Sequence, residues 1–197
     1  QREIIYKRRK KILEGDKSYL RAEILNKINN SISEFVTLRT NESLDDDKSA
    51  TEKIIADFMM IIPFDDTSKK QLIEQADQLS DISGKIEFLS TVAKDIYDKR
   101  IKDLGEDLIY EIEKFVMLSV VDNLWVDHLD AVENLRSGIG LRGYGQRDPL
   151  VEYKNEAFGM FEKLIHGIDD EIVHRIYRIS VQNAPQSRNY ADQNAES

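Results

Sequence analysis

Residues 108 to 179, LIYEIEKFVMLSVVDNLWVDHLDAVENLRSGIGLRGYGQRDPLVEYKNEAFGMFEKLIHGIDDEIVHRIYRI, carry two apolar stripes separated by a glycine-rich stretch. In the first, Leu118, Val121, Trp125, His128, Val132 and Leu135 recur at spacings of three and four, with Ile112 and Phe115 extending the stripe upstream. That is the period of one face of an α-helix. Phe158, Phe161, Ile165, Ile168, Ile172, Ile176 and Ile179 repeat it in the second. Between them the glycines 138, 140, 143 and 145 interrupt the pattern, and Asp148-Pro149 supplies an N-cap with proline in the first turn. The spacing predicts a long antiparallel helical hairpin with a break over residues 138 to 145. Arms of about 30 residues at roughly 1.5 Å per residue would be about 45 Å long. Trp125 and Phe161 are expected to anchor a seam with Val121, Val132, Phe158 and Ile165.

Outside the hairpin the same period continues. Residues 1 to 14 hold Ile4, Ile5, Ile12 and Leu13 and end at Gly15, a helix C-cap position. Asp16 or Ser18 can cap a helix carrying Leu20, Ile24, Leu25, Ile28, Ile32, Phe35 and Val36. Residues 40 to 49 read as a polar loop. Thr51-Glu52 opens a short helix that Pro63 stops, Thr67 or Ser68 opens another, and Ser83 opens one that closes near Gly105. With three prolines, nine glycines and helical periods throughout, the fold class is all-α. The organisation expected is a scaffold helix end at 1–14, a small helical wing at 15–104, the scaffold and finger at 105–181, and a polar linker without apolar period at 182–197. The opening at Gln1, inside a helical run and without an initiator Met, is that of a piece of something larger.

Charge excludes some functions. The chain carries a net −9, and only residues 1–14 are basic, with six Lys and Arg against two acids. Phosphate neutralisation needs Lys and Arg, so nucleic acid is not an expected partner. No apolar run approaches the roughly 18 residues of a membrane span. Absence of cysteine removes disulfides, thiol catalysis and cysteine-ligated zinc and points to the cytoplasm. Asp45, Asp46 and Asp47 lack the glycine and alternate spacing of a calcium loop. His166 and His174 are not expected to form a zinc site, although Asp170 stands four residues from each, and His128 reads as a seam histidine.

Residues 138 to 143 match G-x-G-x-x-G, but a helical period precedes them where a dinucleotide site needs a strand. What stands out at this tip is Arg136, Arg142 and Arg147 with no acid between residues 134 and 147, and Tyr144 between two glycines. An aromatic face offers apolar area and glycine-freed backbone groups offer hydrogen bonds, so the tip is more than a connecting turn needs.

The run Asn123-Leu124-Trp125, His128-Leu129, Leu135-Arg136, Gly138-Ile139, Leu141 through Pro149 and Glu152-Tyr153-Lys154 closely resembles the two-helix finger of SecA, the preprotein translocase ATPase. The opening Gln1 to Lys7 and Arg9 resembles the end of that family's long scaffold helix. The resemblance implies that Ile139, Leu141, Arg142, Tyr144, Gln146 and Arg147 contact the translocating polypeptide and the mouth of a SecY-type channel. It implies further that the scaffold helices lie against the parent's motor domains and restrain ATP turnover, with ATP and Mg as the parent's cofactors and none in this stretch. Unfolded preprotein, the channel complex and anionic phospholipid are the partners so implied, and the place is the cytoplasm, peripherally at the inner face of the cell membrane. No G-x-x-x-x-G-K-[ST] occurs, so ATPase activity is not expected of this chain alone. The rival reading is a free-standing helical adaptor that oligomerises through residues 108 to 179.

Overall fold

The computed structural model describes residues 1–42, 47–79, 81–142 and 148–179, and every element among them is an α-helix. In chain order these are α1 (Arg2–Glu14), α2 (Lys17–Glu42), α3 (Asp47–Ile61), α4 (Asp66–Asp77), α5 (Ile82–Leu104), α6 (Glu106–Arg142) and α7 (Pro149–Ile176). The all-α class expected from the periodicity is the class observed.

Aspartates start most of these helices by accepting from otherwise unpaired first-turn N–H groups. Asp16 accepts from Tyr19 N at 2.8 Å, Asp65 from Ser68 N at 2.7 Å, Asp81 from Gly84 N at 2.9 Å and Asp148 from Leu150 N at 2.9 Å. Two of them, α4 and α5, therefore begin earlier than expected. Asp65 rather than Thr67 or Ser68 caps α4, and Asp81 rather than Ser83 caps α5. Thr51 sits buried inside α3, which starts at Asp47, and α2 runs on to Glu42, so the expected loop over residues 40–49 is shorter.

α2 is the central element. Leu20, Ile24, Ile28, Ile32 and Val36, spaced by four, are fully buried, and α2 packs on α3, α5, α6 and α7. Burial of one such side chain is worth roughly 1.5–3 kcal/mol relative to exposure. A single apolar cluster continues from Ile5 and Ile12 of α1 through α2, α3 and α5 to Ile112, Val116, Val121, Phe161, Ile168 and Ile172 of α6 and α7. In α1 only Ile5 and Ile12 face this core. Ile4 and Leu13 are exposed, because a seven-residue step returns to the same side of a helix whereas each neighbour is rotated by about 100°.

The most extensive packing is between α6 and α7. Their direction follows from α1, which lies along both. Near its start the Gln1 side chain receives a hydrogen bond from His128 Nε2 and donates one to the Ala157 carbonyl, at 3.0 and 3.1 Å. Two turns on, Arg9 pairs with Asp122 and Arg8 with Asp169. Along α1 the partner numbers fall on α6 and rise on α7, so the two helices run antiparallel.

Candidate functional site

The seam of the α6–α7 pair is built from rings. Trp125, half-buried, stacks on His128 with centroids 5.5 Å apart, and His128 leans on Phe161 at 5.9 Å. His128 is 6% exposed, and burial lowers its pKa, so at neutral pH it is an uncharged ring donating to Gln1. Val121 and Phe161 are buried, while Val132 and Ile165 are half-buried. One expected seam residue, and one expected to extend the stripe upstream, lie elsewhere. Phe158 is 61% exposed and its place is taken by Ala157, and Phe115 is 41% exposed beside the fully buried Val116. α7 carries two overlapping apolar stripes, 157-161-164-168 and 158-161-165-168, and its packing on α6 and α2 buries the first.

The glycine-rich break is also shorter than expected. α6 continues through Gly138, Ile139 and Gly140 to Arg142, so the G-x-G-x-x-G letters begin inside a helix. Two helical glycines cost about 1 kcal/mol each relative to alanine, less than abandoning an established hydrogen-bond ladder. Ile139 is half-buried in that last stretch. Leu141 and Arg142 close α6, but their side chains lie outside the described residues, as do Tyr144, Gln146 and Arg147 altogether.

Burial thins toward this end. Between residues 129 and 139 only Leu135 is buried, and none of residues 149 to 156 is, with Leu150 and Val151 at least half exposed. Arg136 pairs with Glu133 at 2.8 Å on the exposed surface, a contact worth about 0–1 kcal/mol.

A second surface lies where α1 runs beside the middle of α6. Tyr6 and Leu13 of α1 and Val126 of α6 are exposed by 49%, 42% and 56% around an open groove of about 440 Å³ that Trp125 also lines, with Arg9 and Lys10 at its edge. Apolar side chains gathered in this way mark an interaction surface more often than a free one.

Sequence reasoning missed a buried polar cluster. Tyr97 of α5 donates a hydrogen bond from Oη to Glu113 Oε1 of α6, and both side chains are almost fully buried. Burial raises the Glu113 pKa, against the opposing pull of the Tyr97 hydrogen bond and the Arg21 charge. The signal was present: Glu113 interrupts the stripe formed by Ile109, Ile112, Val116 and Met117, and Tyr97 stands in the series Leu89, Ala93, Tyr97, Ile101.

Comparison with known proteins decides the family. The model of the SecA wing and scaffold domain matches residues 1–180. The chain belongs to the SecA family. It is 35% identical to the protein translocase subunit SecA of Pelotomaculum thermopropionicum over 95% of its own length and 20% of that protein. The SecA subunit of Caldicellulosiruptor saccharolyticus is 38% identical, with 94% and 21% covered, and that of Clostridium acetobutylicum 33%, with 94% and 22%. The chain thus spans about a fifth of the length of these SecA relatives. Among the described residues no helix is long and apolar enough to cross a membrane, and no group of His, Asp or Glu is placed to hold a metal ion.

Proposed function

We propose that this chain is the non-catalytic wing, scaffold and finger part of an ATP-driven protein translocase. In this reading the free end of the α6–α7 pair meets the translocating polypeptide at the mouth of a SecY-type channel through Ile139, Leu141, Arg142, Tyr144, Gln146 and Arg147. The observation that carries it is the sparsely buried end of the longest helix pair, in a chain of the SecA family: a stiff rod projecting beyond the core presents whatever lies between residues 142 and 148. The arginines of the tip can meet acidic loops or anionic phospholipid headgroups. The groove beside Tyr6, Leu13 and Val126 is the surface that would lie against the motor domains and restrain their ATP turnover. ATP and Mg belong to the parent, and the place of action is the cytoplasmic face of the cell membrane.

The test is translocation of a preprotein into vesicles holding the purified channel, driven by the full-length parent with and without Tyr144→Ala. The expected result is a several-fold slower translocation with folding unaltered; equal rates refute the role of the tip. ATP hydrolysis co-purifying with the 197-residue chain would refute its non-catalytic assignment. The adaptor reading draws on the same exposed groove, and a tight dimer in sedimentation through residues 108–179 would favour it.

A further inference from the structure

Two backbone connections join α2–α5 to the layer made by α1, α6 and α7, and each passes through one glycine. Gly15, between α1 and α2, has an ordinary φ of −66°, so its requirement is space. A Cβ there would lie 2.5 Å from Tyr19 Cδ1 and 2.9 Å from the Lys11 carbonyl oxygen. Gly105, between α5 and α6, has φ +87° and ψ 150°, and a Cβ there would meet nothing within 4 Å, so its requirement is conformation.

The two corners are fastened to each other. Tyr110 Oη of α6 donates to the Gly15 carbonyl at 3.0 Å, Lys17 pairs with Asp107, and an Arg21 terminal nitrogen lies 3.7 Å from the Glu106 carboxylate. Two turns inward from Gly105 on either side, Tyr97 bonds Glu113 across the corner. Arg21 of α2 lies at the same corner, and its Nε is buried without a hydrogen-bond partner among the described residues. Tyr177 of α7 stands edge-on to Tyr97 at 5.9 Å.

We propose that Gly15 and Gly105 form a two-strand joint between α2–α5 and the α1–α6–α7 layer, and that the Tyr97–Glu113 and Tyr110–Gly15 hydrogen bonds are the lock that fixes its angle. Apolar contact is non-directional and tolerates a slide of one helix over another, whereas a buried hydrogen bond has to be satisfied in one geometry. The lock therefore sets which angle the joint adopts, while the apolar cluster keeps the helices together. This role is independent of what the finger tip touches.

The chain has no cysteine, so Lys53→Cys on α3 and Lys154→Cys on α7, both exposed, accept a pair of spin labels and nothing else does. The distance distribution between them, measured by double electron–electron resonance on the 197-residue chain, reads the angle. The parent is expected to give one narrow distance. Tyr97→Phe should at least double its width or add a second maximum. Glu113→Gln, which leaves an acceptor for the Tyr97 hydroxyl, should keep the parent's width. Where Tyr97→Phe does not fold, Tyr110→Phe, which removes the other bond of the lock together with a contact from Lys114, takes its place with the same expectation. A broad distribution in the parent, a folded Tyr97→Phe as narrow as the parent (or Tyr110→Phe in its stead), or a Glu113→Gln as broad as Tyr97→Phe would each overturn the assignment.

Discussion

Replacing Gly105 with alanine separates a backbone conformation from every side-chain contact. At φ +87° and ψ 150° the residue lies in a region that only glycine occupies without strain, at a cost of order 1–3 kcal/mol for any other residue. No neighbour stands within 4 Å of the added methyl, so neither a clash nor a gained contact alters that figure. The fraction of the fold at stake is modest: for a chain of this size 1 kcal/mol moves the melting temperature by about 2–4 °C. Gly105→Ala is thus expected to melt roughly 2–12 °C lower, followed by circular dichroism at the helical band. Asparagine, which tolerates the left-handed helical region, should not restore the loss, because ψ here lies far from that region. Gly15→Ala has a different cause, and shortening Tyr19 should relieve part of it, since the nearest atom belongs to that ring. A Gly105→Ala melt within 1 °C of the parent, or a full rescue by Asn, would refute the conformational argument.

Phe161→Ala should destabilise by about 3–5 kcal/mol and Phe158→Ala by less than about 0.5 kcal/mol in denaturant titrations, because only the first ring is buried. Equal losses would mean that the stripe of α7 has been assigned to the wrong side. Glu113 has a folded-state pKa above its unfolded value, so the native state holds that proton more tightly and stability falls as pH rises through the interval between the two. Glu113→Gln should therefore be more stable than the parent above the folded pKa, with the difference vanishing below the unfolded pKa. Chemical denaturation at matched pH values tests this, and a pH-independent difference would rule it out.

Several features were legible because they depend only on neighbours along the chain. The series Leu20, Ile24, Ile28, Ile32, Val36 announces one face of one helix, and Asp148-Pro149 announces the start of α7. The starts of α4 and α5 lie two or three residues before those expected, because Ser and Thr compete with Asp65 and Asp81 as caps. The choice between Ala157 and Phe158 was not legible, since both satisfy the period and only the way α7 packs on its neighbours decides between them. Nor was the Tyr97–Glu113 bond, whose partners are sixteen residues apart and meet across the corner at Gly105. The early end expected for α6 failed for a thermodynamic reason: the local preference of glycine is weaker than the cooperativity of a helix already 30 residues long at that point. Of the tip residues, only Ile139 can be located with its side chain; the rest of that contact is a reading of the sequence.

The last turn of α7 is gripped rather than frayed. Arg100 reaches across from α5 to donate to the carbonyls of Ile176 and Ile179, and Arg178 donates to the carbonyl of Met60 on α3. Helix ends normally loosen because their final carbonyls have no partner in the same helix. Here those oxygens are answered from elsewhere in the molecule, which turns residue 179 into a mooring: any tether spliced on behind it would have its reach measured from a stationary post.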